Sequence, residues 1–416
     1  MKVELSSQRK LDAIIAQIDK LMLSDFPHPD SETALGIVRT FFEEHRGRLE
    51  KAARSGDTES LNRVCVTLNE RITQYLPILG FLLRSTNVRN SFETYDAIVH
   101  IAKSLIGPQA RVVMSSEWDA SPLAYPLNVS ILPGFALIGM PTYQSGNALI
   151  LPLAGHELGH CAWVDRNLEK VYTTRVDELA WNYITSRWHE FRSAFPEHSH
   201  LQPIAAQLRQ NMFFMQIIDD ITALCLQHVE EVFCDAIGVA LFGSSFALAF
   251  HYLLAPSHGQ MRSLSYPELG VRARFIEQYG GYDLAKVDFT SFEAEFSELP
   301  LKFENRSDSF ILRCADSIVE ILGEHIFQDA QEMVAQTCSM HMPSDLETDN
   351  ILHMFENSTP ARAPKTLADI INAGWKYTIN NEESFDHARR SLSDWVSELV
   401  LKSVEVLEFR RRSGNA

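Results

Sequence analysis

Two histidines stand four residues apart in the run His156-Glu157-Leu158-Gly159-His160. In a helix, residues at that spacing share one face, one turn from each other. Two imidazoles so placed can bind one metal ion. The carboxylate of Glu157, next to the first histidine, points toward the same space. Zn²⁺ suits such donors, and a catalytic zinc keeps one position open for water. A carboxylate beside that position can act as general base. A chain with 15 His in 416 residues would contain this pattern by chance only about 0.04 times, so the run organises the rest of the reading.

A catalytic zinc needs a third protein ligand, and the segment His228-Val229-Glu230-Glu231-Val232-Phe233-Cys234-Asp235 offers one. Glu231 and Asp235 are four apart and share a helix face. Glu230 lies about 100° around the helix from Glu231 and is expected to share that face poorly. By this argument Glu231→Gln should lower zinc affinity while Glu230→Gln should not. His228, three residues before Glu231, could also face the site.

The pair of motifs resembles the gluzincin metallopeptidases. That resemblance implies that His156, His160 and Glu231 bind zinc and that Asp235 orients a ligand histidine through its second ring nitrogen. Such a bond fixes the tautomer and makes the imidazole a better ligand. Further on, Ser265-Tyr266-Pro267-Glu268-Leu269-Gly270-Val271-Arg272 is distantly similar to the prenyl-protein-processing membrane peptidases. They carry His-Pro with an Arg five residues after the Pro. Pro267 and Arg272 match, and Tyr266 stands where the family has His. The likeness spans roughly residues 135–276. It carries over the zinc site but neither the membrane location nor the prenyl-protein substrates, because a run of membrane helices is missing.

The expected activity is that of a soluble zinc metallopeptidase acting on a peptide or protein substrate. Glu157 is the general base for a zinc-activated water. Tyr266 is the first candidate for stabilising the oxyanion, with His251, His258 and Arg272 as alternatives. Two other readings compete. One is a non-catalytic zinc-bearing scaffold whose flanking helices bind a partner; an intact Glu157 argues against it. The other is a di-iron carboxylate bundle, since Glu157-x-x-His160 is also a Glu-x-x-His motif. The only further copy, Glu197-His198-Ser199-His200, follows Pro196 and reads as a loop.

The net charge of −17 disfavours nucleic acid or an anionic membrane as partner. Six cysteines (Cys65, Cys161, Cys225, Cys234, Cys314, Cys338) show no CxxC spacing. They suit buried free thiols in a reducing compartment. Cys161 and Cys234 adjoin the motifs, but the His and Glu set already fills the site. The first residues read neither as a signal peptide nor as a membrane segment, so a cytoplasmic protein is expected.

The elements that must position these residues read as mainly α with a small β-sheet: a zincin-like core over 111–280 between helical regions at 1–110 and 281–416. Leu11, Ile14, Ile15, Ile18, Leu21 and Met22 have helical spacing, and three more helices follow before Gly107. His100 sits on an apolar face and reads as a core residue. Phe135–Met140 and Ala148–Leu151 are strand candidates joined by a turn-rich loop. One of them is expected beside the motif helix, as an edge for an extended substrate. The motif helix runs from Leu153 toward Leu168, the next covers Val176–Phe191, and a long helix reaches from Pro203 to Leu241. The uncharged stretch Ala236–Ala255 is long enough to span a membrane. Its continuity with the ligand helix makes it a core segment, broken at Gly243. Helices are expected again over 309–337, 366–378 and 383–411.

Overall fold

The computed structural model describes residues 3–87, 92–117, 123–124, 131–144, 146–198, 200–255, 262–280, 296, 306–382 and 391–414. The chain is mainly helical with one small sheet, as expected. It divides into two compact units, Met1–Gly146 and Asn147–Ala416.

In the first unit, α1 (Val3–Leu21), α2 (Pro29–Ser55) and α3 (Thr58–Arg84) pack side by side, with α4 (Tyr95–Leu105) following. Pro29 opens α2 at the position where proline removes no helical hydrogen bond. Asp57 caps α3 by accepting from the Glu59 amide. The sheet has the order β1-β3-β2. In it β1 (Arg111–Glu117) runs parallel to β3 (Phe135–Pro141), and β2 (Leu123–Ala124) lies antiparallel on the other side of β3. Val113, Phe135 and Leu137 share one core with Phe42 and Phe81. Asp30 accepts from the Val112 amide, at 3.1 Å, and from Tyr95 Oη, tying the start of α2 to β1 and α4. These contacts place the sheet with the N-terminal helices. The boundary therefore falls at 146/147, where the sequence suggests 110/111.

The second unit is built on α9 (Met212–Phe242). Before it come α5 (Leu153–Asp165), α6 (Leu168–Ser186), α7 (Trp188–Ala194) and α8 (Ala205–Gln210). After it come α10 (Ser244–Leu254), α11 (Leu269–Gly280), α12 (Arg306–Thr337), α13 (Asp345–Glu356), α14 (Leu367–Asn381) and α15 (Leu392–Arg412). Helices α5, α6, α11 and α12 pack on α9. The motif helix ends close to where the sequence suggests, while the stretches 176–191 and 203–241, expected as single helices, are broken at Arg187 and at Asn211. Asn167 takes a left-handed φ of 53° between α5 and α6, and Asn211 caps α9 by accepting from the Phe214 amide.

Ala148–Ile150 is a 3₁₀ turn, where a strand was expected. The residues after 281 explain this, because they hold the turn from α14 and α15. Trp375 Nε1 donates to the Leu149 carbonyl at 3.0 Å, and the Ala148 amide donates to Ser397 Oγ. The C-terminal helices thus belong to the same unit as the motif helix and form no separate domain.

The apolar stretch is buried from Ala236 to Phe250, apart from half-buried Ser244, and breaks at Gly243 as its composition suggests; its last residues are not buried, and Tyr252 is exposed. Gly243 has φ 68° and ψ −145°, a conformation open essentially to glycine. Asn372 of α14 clamps the break. Its Oδ1 accepts from Ser244 Oγ and the Ser245 amide, and its Nδ2 donates to the Phe242 and Ala368 carbonyls. Among the described residues no helix is long and apolar enough to cross a membrane. Because all four hydrogen-bonding positions of the Asn372 amide are filled, Asn372→Ala should lower the unfolding free energy by about 2–4 kcal/mol. Urea denaturation followed by circular dichroism measures it, and an unchanged midpoint would contradict the clamp.

Candidate metal centre

Helices α5 and α9 run antiparallel and nearly touch. A β-carbon on Gly159 would lie 2.7 Å from Cys234 Cα, and one on Gly155 would lie 3.1 Å from Gly238 Cα. The backbones can approach this closely only because α5 has glycine at both positions. Side chains on the facing surfaces then meet at short range.

The two imidazoles of the motif sit 5.0 Å apart, centroid to centroid, and nearly perpendicular. His156 Nδ1 lies 2.9 Å from Asp235 Oδ1, and His160 Nδ1 lies 2.8 Å from Glu230 Oε1. Each ring thus has its Nδ1 turned to a carboxylate. Their Nε2 atoms both face Glu231: His156 Nε2 lies 3.4 Å from Oε2 and His160 Nε2 lies 3.6 Å from Oε1. Glu231 Oε2 is buried and has no hydrogen-bond partner. Ligand atoms bound about 2.1 Å from a tetrahedral Zn²⁺ are themselves about 3.4 Å apart. The spacing, the donor types and the orphaned oxygen all fit zinc held by His156, His160 and Glu231. Glu157, also buried, is near enough to raise the His160 pKa through its charge.

Glu230 corrects the helical-face expectation. It stands where the sequence argument gives it no part, yet it holds the second histidine as Asp235 holds the first. Adjacent residues on α9 straddle the line of approach of α5, so both faces of that line are used. A signal was present in the sequence. Two ligand histidines call for two orienting acceptors, and Glu230 and Asp235 flank Glu231 on either side.

Arg272, on α11, completes the arrangement. Its Nε and Nη2 donate to Asp235 Oδ2 and Oδ1 at 2.7 and 2.8 Å, and Nη1 lies 3.7 Å from Glu231 Oε2. The fork grips Asp235 rather than pointing at a substrate oxyanion. Burial alone would raise the Asp235 pKa, but Arg272 and then His156 bring it down to about 2. Burial likewise works against a charged His156. Asp235 and Glu231 overcome it and hold the ring's pKa at about 10. Glu231 is kept below the usual carboxylate range: burial opposes this, and His156 and Arg272 enforce it.

The remaining candidates lie elsewhere. Tyr266 is 48% exposed in the segment before α11. His251 sits at the end of α10, edge-on to Phe296, and His258 lies outside the described residues. His228 is buried and donates from Nε2 to the Leu264 carbonyl at 2.8 Å, so it secures the approach to α11. Glu197 and His198 belong to a short 3₁₀ turn and supply no second helical Glu-x-x-His. Cys234 is closer than expected, with Sγ within 4.8 Å of a ring nitrogen of both motif histidines. Burial, with Glu231, Glu230 and Asp235 around it, raises its pKa well above the ordinary value and keeps it a thiol.

Two outcomes are expected. Asp235→Asn and Glu230→Gln should each weaken zinc binding about 10–100-fold, read by competition with a chromophoric chelator; unchanged affinity in the Glu230 variant would restore the simple face argument. Zinc binding at pH 7 should also release protons. His156 is protonated in the metal-free chain below its raised pKa of about 10, and a ligand imidazole must be neutral. Affinity should therefore rise with pH from 6 to 9. Calorimetry in buffers of different ionisation enthalpy counts the protons, and a count of zero would contradict the assignment. Comparison with known proteins finds no matching family, no matching curated protein and no matching solved structure.

Proposed function

We propose that the chain is a zinc-dependent metallopeptidase with a zincin-like site, related in its residues to the gluzincins and acting on a peptide or protein substrate. One observation carries the reading. The two imidazole Nε2 atoms lie 3.4 and 3.6 Å from the two oxygens of Glu231, whose Oε2 has no hydrogen-bond partner, while both Nδ1 atoms are already engaged. When bound, zinc would supply Lewis acidity, lowering the pKa of water toward about 7 and polarising a carbonyl.

The protein's own groups do the rest. His156, His160 and Glu231 hold the ion and leave one position open. Asp235 and Glu230 fix both rings with Nε2 forward. Arg272 keeps Asp235 ionised. Glu157, next in sequence to a ligand but free of ligand duty, takes a proton from the attacking water on its carboxylate. It then passes that proton to the amine nitrogen of the leaving chain. Tyr266, in the exposed segment before α11, remains the proposed oxyanion donor. Six buried, unpaired thiols suit a reducing compartment such as the cytoplasm.

One observation favours a second reading. With Cys234 as a fourth ligand beside His156 and His160, the site would be closed and structural, which fits the scaffold alternative. The spacing weighs against it, because the Glu231 oxygens already stand at ligand separation.

Glu157→Gln keeps the side chain's shape and removes its basicity. This variant should retain one zinc per chain and lose peptide hydrolysis by about 10²–10⁴-fold, while Cys234→Ala should keep both zinc and activity. The measurements are zinc stoichiometry and cleavage of a peptide library, with a chelator control. Zinc loss in Cys234→Ala, together with an inert wild type, would establish the closed site instead.

A further inference from the structure

Away from the metal centre, α6, α8 and the start of α9 enclose an open groove of about 500 Å³. That is within the roughly 300–1,000 Å³ of ligand pockets. Trp181 and Met215 line its apolar part; Asp177, Glu178 and Asp219 line its rim. None of these three carboxylates takes part in an ion pair among the described residues. Asp219 lies about 18 Å along α9 from Glu231 at the helical rise, so the groove is outside the metal centre.

Two further features show what it would accept. Arg209 of α8 lies over the Trp181 ring, with Cζ 4.9 Å from the centroid. It is also without a carboxylate partner among the described residues. The ring face is therefore already used as a seat for a guanidinium. Just beyond the groove, Met212 and Phe213 open α9 with 75% and 70% of their surface exposed. Bulky apolar side chains left in water beside an acidic, aromatic groove mark a contact surface.

We propose that this groove is a docking site for a segment of a partner protein carrying cationic side chains next to bulky apolar ones. The partner's cation lies on Trp181 in place of Arg209, with Asp177, Glu178 and Asp219 around it. Its apolar side chains cover Met212, Phe213 and Met215. Charge complementarity selects the occupant: three unpaired carboxylates reject an acidic segment. The exposed apolar pair gives a small polycation no advantage over such a peptide.

The test uses the full chain and a fluorescein-labelled hexapeptide of alternating arginine and leucine, with binding read by anisotropy. Wild type should bind it in a salt-sensitive manner. The triple variant Asp177→Asn, Glu178→Gln, Asp219→Asn should bind at least about tenfold more weakly, a change of about 1.4 kcal/mol. Trp181→Ala should do the same. Arg209→Ala, which vacates the ring, should bind more tightly. A control triple on the first unit, Asp25→Asn, Glu44→Gln, Glu70→Gln, removes the same charge and should bind as wild type does. Trp181 packs edge-on against Phe214, so its variant is checked by circular dichroism. The acid triple alters groups that are exposed or partly exposed and carries the test alone if Trp181→Ala unfolds. The proposal is overturned by absent wild-type binding, by equal weakening in the control triple, or by equal binding of a hexapeptide with serine in place of leucine.

Discussion

The candidate metal centre depends on how closely α5 and α9 approach. Packed helices ordinarily keep their axes about 8–10 Å apart. At Gly159 and Cys234 there is no room for even one additional carbon. The consequence is electrostatic as well as steric. Four carboxylates, those of Glu157, Glu230, Glu231 and Asp235, are drawn near two imidazoles, and burial removes most of the water that would screen them. Arg272 balances one. With both rings neutral, Arg272 alone offsets these carboxylates, and a bound divalent cation would supply the positive charge that the side chains do not. In the metal-free chain the same deficit is met by protons, which is why the carboxylates hold the His156 pKa so high. On the proposed assignment, proton and metal would compete for one set of Nε2 atoms.

The orientation of that set comes from segments far apart in the chain. Asp235 is fixed from α11 by a two-pronged bond from Arg272, and α11 is approached by a segment that His228 secures at the Leu264 carbonyl. Arg262, in the same segment, donates to Asp316 of α12. Groups on α9 and α12 thus hold the stretch that leads to Arg272 and Arg272 itself. Beneath it, Gly243 ends α9, and Asn372 of α14 closes the break with four hydrogen bonds. The C-terminal helices, which carry no candidate chemistry themselves, thereby fix the far end of the helix that bears Glu230, Glu231 and Asp235.

What the sequence determines here is whatever depends on one helix at a time. The four-residue spacings of His156 with His160 and of Glu231 with Asp235 follow from the helical repeat, and the structure puts each pair on one face. The mainly helical class, the burial of Ala236–Phe250 and the break at Gly243 follow from local periodicity and from the one residue type that tolerates the required backbone. Tertiary structure decided the rest. Glu230 meets His160 because the crossing helix faces a line on α9, and residues to either side of that line are both within reach. A single-helix projection divides them. Ala148–Ile150 has the composition of a strand, but Trp375 and Ser397, more than two hundred residues later, take the backbone groups a sheet would have used. Arg272 could have served a substrate or a neighbour. It grips Asp235 because α11 packs on α9, and no spacing along the chain encodes which helix packs against which.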